Sequence, residues 1–173
     1  GHTLVQRQMP AFTQEAPAHD VVVVADEGDV FGEFLPYRTF RPRPVVGTQG
    51  LVPTNWHRAT EQWGGTQLQH RFEDMAGRAM RERDYNAWLA LRAIGEAVTR
   101  TESAAPDTVR DHLRSDAFGV GAFKGQAVTF RDWNQQMRQP VLLVAPRMLV
   151  SVSPQEGFLH QHTELDTLGY DEP

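Results

Sequence analysis

Val21-Val22-Val23-Val24 breaks off abruptly into Ala25-Asp26-Glu27. Four valines in a row predict a strand buried on both faces, the pattern of a parallel sheet covered by helices. A second apolar run, Val45-Val46-Gly47, follows Arg43-Pro44 and stops just as sharply at Thr48-Gln49-Gly50. In open α/β sheets, ligands bind beyond the carboxyl ends of such strands, where loops with free backbone groups converge. Asp26, Glu27, Thr48 and Gln49 are therefore the first candidates for solute contact, with Asp29 beside them. A strand-end cluster of Asp26, Glu27 and Asp29 could equally hold a hard cation, or simply keep the sheet end solvated.

The chain has 173 residues, enough for one domain with a real core. Its formal net charge is -5 and its basic residues are scattered, which argues against a nucleic-acid partner. No apolar run reaches the length of a membrane span, so the chain is not expected to be membrane-embedded. With no cysteine, disulfides, thiolate zinc sites and cysteine nucleophiles are excluded. Gly1-His2 reads as a cloning remnant, and the chain as a piece of something longer.

Residues 3–19 carry two prolines and little periodicity apart from a helical turn near the start. After the first strand (21–25), Phe31, Phe34 and Leu35 predict a short helix or turn ended by Pro36 and the Arg41-Pro42-Arg43-Pro44 stretch. Pro53-Thr54-Asn55-Trp56 reads as a loop. Leu68, Phe72, Met75 and Ala79 predict one helical stripe, and a second helix is expected over 84–99. There Trp88, Leu91 and Val98 form its packing face, with Gly95 allowing close approach. Pro106 suits a first helical position, with Val109 and Leu113 inward. Strands are expected at 127–130, 140–144 and 149–152, the last two forming a hairpin, with Asp132-Trp133-Asn134 turning another. Strands alternating with helices, then hairpins, make an α/β chain with an antiparallel appendix.

Several segments carry a likeness in order and spacing. Asp20–Gly32 resembles a strand and loop commonly written Gly-Gly-Tyr-x-x-Glu-x-Gly, and Val46-Gly47-Thr48-Gln49-Gly50 resembles a Met-Gly-Pro-Glu-Gly turn. Tyr85-Asn86-Ala87-Trp88 is similar to a Tyr-Asp-Ala-Val helix start. Phe123-Lys124-Gly125 with Val128–Asp132 is similar to a closing Phe-Asp hairpin. Over roughly residues 20–153 the chain resembles the C-terminal portion of type I periplasmic solute-binding proteins, the branched-chain amino acid receptor group of ABC transporters. Residues 46–54, 123–126 and 152–161 look like the subgroup associated with pyrroloquinoline quinone-dependent alcohol oxidation.

The resemblance implies a Rossmann-like lobe with a mainly parallel sheet, flanked by helices and closed by C-terminal hairpin strands. It divides the chain into an N-terminal segment (1–19), the lobe (20–153) and an irregular tail (154–173). It further implies a periplasmic protein that binds a small polar solute and delivers it to a permease. Most of lobe two would be present and lobe one missing, leaving an apolar face for self-association. Where the family's turn has a glutamate for a ligand ammonium, this chain has Gln49. An amide supplies no negative charge, so a standard branched-chain amino acid is not the expected ligand. The aromatic of the family's loop is matched by Glu27. The family's cleft also draws Arg83 and Asp84 into the candidate set, and Trp56 could stack on a ligand.

On an extended segment His160 and His162 would project to one side and, with Glu164, could hold zinc or copper, pointing to a metal-handling accessory of an alcohol oxidation system. Loss of the ammonium partner leaves room for a protein-docking accessory. His57 and His70 are isolated. No Gly-x-Ser-x-Gly elbow, phosphate-cradling Gly-Lys-Ser/Thr loop or His-Glu-x-x-His helix occurs, so neither catalysis nor a cofactor is expected.

Overall fold

The computed structural model describes residues 2–28 and 30–154. The chain is α/β and divides into two compact units, residues 1–53 with 143–150, and residues 54–142 with 151–173.

The first unit begins with α1 (His2–Thr13), followed by β1 (Val22–Val24). A short 3-10 turn (Gly32–Phe34) runs into α2 (Leu35–Arg38). Pro36 does not end this helix. It lies in the first turn, where its missing N–H removes no helical bond. β2 (Val45–Gly47) then pairs parallel with β1, Val22 against Val45 and Val24 against Gly47. Met9, Val24, Phe34 and Leu35 form the core, with Val5, Val22 and Val45 against it.

The valine run is buried on one face only. Val24 is 4% exposed and Val23 is 73% exposed. Alternate strand residues point to opposite faces, and α1 and α2 supply buried partners for one of them. Val21, Val23 and Val46 remain on the surface.

β3 (Val52–Thr54) occupies the segment expected to be a loop. Pro53 is compatible with that strand because β3 lies at the edge of a sheet ordered β3, β7 (Val141–Ala145), β8 (Met148–Ser153). The two-residue link between β7 and β8 makes them the expected hairpin. The parallel pairing among the described residues is that of β1 and β2, not the wider parallel sheet expected.

In the second unit, α3 (Gly65–Ala76), α4 (Glu82–Thr101) and α5 (Pro106–Leu113) accompany an antiparallel sheet of β4 (Val120–Gly121), β5 (Ala127–Phe130) and β6 (Met137–Arg138). The helix positions follow the sequence pattern, but two faces differ. In α3, Leu68 is buried whereas Met75 is 84% exposed, and Ala79 lies beyond the helix. In α4, Tyr85, Leu89, Ala93 and Ala97 are buried at four-residue spacing, while Leu91 is 71% exposed. The two alanines let neighbouring chain approach this face. Gly95 has open space where a side chain would begin, so it mediates no close contact.

Trp56 and Tyr85 stack at 4.8 Å in the core of this unit, and Trp88 and Phe123 continue the aromatic series. The Tyr85 hydroxyl donates to the Ala122 carbonyl at 2.8 Å. Lys124 is 2% exposed. Its ammonium donates to the Pro140 carbonyl at 3.0 Å and to that of Asn55, and lies 5.1 Å from the Tyr85 ring centre. Burial pushes its pKa down to about 7, against a smaller opposing pull from Glu82.

Between the folded value and the ordinary 10.5, an unfolded chain holds a proton on this lysine that the folded protein lacks. Stability therefore rises with pH in that interval, by at most about 1.4 kcal/mol per pH unit. Tyr85, whose pKa burial raises, opposes the trend once unfolded tyrosines ionise. Denaturation from about pH 7 to about pH 9.5 should show this rise in the native protein, and Lys124→Met should flatten it. Equal slopes in the two proteins would contradict the assignment.

Candidate functional site

The carboxyl ends of β1 and β2 close into a single elbow. Gly47 ends β2 at φ +98°, and a Cβ there would sit 2.1 Å from the Val24 carbonyl oxygen, so glycine alone permits the turn. Next to it, the Thr48 N–H donates to that carbonyl at 3.0 Å. The Thr48 hydroxyl accepts the Asp26 N–H at 2.8 Å and lies 3.3 Å from the same Val24 oxygen as a donor. Gln49 Nε2 donates to the Asp26 carbonyl at 3.2 Å.

The Asp26 carboxylate turns inward. It accepts N–H bonds from Val30 at 3.2 Å, Phe31 at 2.9 Å and Gly32 at 2.6 Å. The bonds from Gly32 and Phe31 lower its pKa, burial opposes them, and Val30 adds to the lowering. Gly32 is packed tightly, since a Cβ would lie 2.5 Å from Gln49 Cγ.

Asp26 and Gln49 are buried at 6% and 2% exposure, while Glu27 and Thr48 reach the surface. All four residues thus occupy one elbow, but with different tasks from the uniform solute contact expected of them. Asp26 and Gln49 hold its shape from inside, because their polar groups are engaged by the chain itself. Glu27, in the turn after β1, is exposed, as are Val30 and Phe31 of the same loop. Asp29 lies outside the described residues.

The same unit contains a neighbouring cluster that sequence reasoning missed. Arg147, in the β7–β8 turn, reaches Glu33 at 3.3 Å and places its guanidinium 5.6 Å from the Phe34 ring centre. Burial raises the Tyr37 pKa, with Arg147 opposing and Glu33 adding. Nothing local marks this group, because Glu33 and Arg147 are 114 residues apart.

Trp56, Arg83 and Asp84 belong to the second unit. Trp56 is 2% exposed, stacked on Tyr85, with its indole N–H donating to Gln69 at 3.1 Å. It is a core residue without a surface for a ligand to stack on. Asp84 caps α4 by accepting the Arg81 N–H at 2.9 Å and takes both Arg78 nitrogens at 2.6 and 2.8 Å. These bonds, the Arg78 side chain foremost, hold its pKa far below the usual carboxylate range. Arg83 is exposed on the first turn of the helix. His57 and His70 remain apart, the first partly buried and the second exposed. Among the described residues, no group of three or more histidines and carboxylates is placed to hold a metal. His160, His162 and Glu164 lie outside the described residues, as does the tail from residue 155.

No family model and no curated protein matches this chain. Its chemistry is therefore read from the elbow itself, which offers a carboxylate and a threonine at the surface over a floor of satisfied hydrogen bonds.

Two substitutions test that floor. Gly47→Ala should cost roughly 1–3 kcal/mol or more in chemical denaturation, through the left-handed backbone and the contact with Val24. A near-neutral result would contradict the turn geometry. Asp26→Asn should lower the melting temperature at neutral pH. A depressed folded pKa contributes stability that is complete above the unfolded value near 3.8 and lost as pH falls through the folded one. The gap between native and variant should thus narrow in acid, and a gap constant down to pH ~2 would argue against the buried carboxylate.

Proposed function

We propose that this chain is the C-terminal lobe of an extracytoplasmic solute-binding component of an ABC transporter, working in the periplasm and binding a small polar solute. In this reading β1 and β2 belong to the parallel sheet of a Rossmann-like lobe, and the hairpin strands close it. The observation that carries the proposal is the elbow, in which two parallel strands end in register and Glu27 stands exposed above the braced Asp26 and Gln49. That placement fits the rule that open α/β sheets bind ligands at strand carboxyl ends. The exposed Val21, Val23 and Val46 also suit a sheet that the rest of a receptor covers.

Glu27 would accept hydrogen bonds from solute hydroxyl or amine groups, and Thr48 would border the same surface. The neutral Gln49, engaged with the Asp26 backbone, offers no countercharge to an ammonium at the family's usual position. The solute is therefore polar or hydroxylated and not a standard branched-chain amino acid. Hinge closure of the whole receptor would sequester it before delivery to the permease, with no covalent chemistry and no cofactor.

A thermal-shift screen of the full-length receptor against amino acids, short alcohols, aldehydes, organic acids, pyrroloquinoline quinone and metal ions tests this. A solute at a hundredfold excess over its Kd should stabilise the fold by about 2.7 kcal/mol. Glu27→Ala should remove that shift while leaving the solute-free melting temperature unchanged, because Glu27 is exposed. A response confined to zinc or copper, or a solute shift indifferent to Glu27→Ala, would defeat the proposal.

A further inference from the structure

A cavity of about 500 Å³ lies wholly within the second unit, away from every residue of the elbow. Ile94 and Val98 of α4, Val109 and Leu113 of α5 and Phe130 of β5 give it an apolar wall. Its volume is in the range of small-molecule sites. Phe130 is held in place by stacking on the buried Phe118 at 5.6 Å, so that part of the wall is fixed. Ile94 is 48% exposed, an apolar residue left on the surface of a helix whose other face is packed.

Arg110 and Arg114, both exposed, also line the cavity, and their situations differ. Arg110 is engaged, with Nη1 at 2.8 Å from Asp107 and Nη2 and Nε at 2.9 and 3.0 Å from Asp111. Arg114 forms no ion pair with any described residue. The lining thus combines an apolar wall with an exposed arginine that has no ion pair among the described residues, while the two carboxylates on Arg110 disfavour a second negative charge.

We infer that this cavity binds a small amphipathic monocarboxylate, its alkyl chain against α4, α5 and β5 and its carboxylate on Arg114. A guanidinium presents paired donors that match the two oxygens of a carboxylate, a geometry that a neutral alcohol cannot use in full. The site is independent of the transport reading and stands or falls by itself.

Calorimetric titration with decanoate below its micellar concentration and decanol below its solubility limit is the test. Decanoate should bind at one site, more tightly than decanol. Arg114→Gln should weaken decanoate by roughly ten- to hundredfold, the scale of a lost charge-assisted bond, and leave decanol unaffected. Ala104, exposed and lining the cavity, offers a second variant. Ala104→Trp should block both ligands without lowering the melting temperature. Absence of decanoate binding, equal affinity for decanol, or decanoate binding indifferent to either substitution would overturn the assignment.

Discussion

Three successive backbone N–H groups, those of Val30, Phe31 and Gly32, converge on the single carboxylate of Asp26. The Gly32 N–H is buried and would otherwise lack a partner, while those of Val30 and Phe31 are part-buried and fix the loop's path. The same residue binds the second loop through its main chain, its N–H to Thr48 and its carbonyl to Gln49. One aspartate therefore ties together the two strand ends and the start of the 3-10 turn. The exposed surface at Glu27 is set by that arrangement. A carboxylate on a loose loop would lose conformational freedom upon capturing a solute, and a braced loop has already lost it.

The second unit is organised by a different polar device. Lys124 is enclosed with the Tyr85 ring on one side and carbonyls of Asn55 and Pro140 as acceptors. A neutral amine can still donate two hydrogen bonds, so depression of its pKa lets the lysine stay buried with its polar atoms matched. Around it the stacked Trp56 and Tyr85 supply the apolar bulk. Each unit thus holds a buried titratable side chain that joins loop segments just beyond the ends of paired strands.

What the sequence made legible was local. The short strands β1 and β2, the helix starting at Pro106 and the hairpins at 127–138 and 141–153 follow from valine runs, proline geometry and turn residues. Faces were harder to assign. α4 carries large apolar residues around much of its circumference, and its buried side is the one with Tyr85, Leu89, Ala93 and Ala97, a choice set by tertiary packing. The location of the strand-end cluster was readable, because the apolar runs stop where they do. The inward turn of Asp26 was not, since it depends on where Gly32 and Gln49 come to lie. The pairing of Glu33 with Arg147 crosses most of the chain, and Lys124 gave no sign of burial beyond its apolar neighbours Ala122 and Phe123.

In the proposed receptor, the elbow presents Glu27 to a polar solute while Asp26 and Gln49 hold the elbow from within. The most direct test is a crystal structure of the full-length receptor with its solute bound. Solute polar atoms should lie roughly 2.6–3.2 Å from the Glu27 carboxylate, with the three N–H bonds to Asp26 retained. A solute bound elsewhere, or an Asp26 carboxylate released from its loop to make the contact itself, would contradict it.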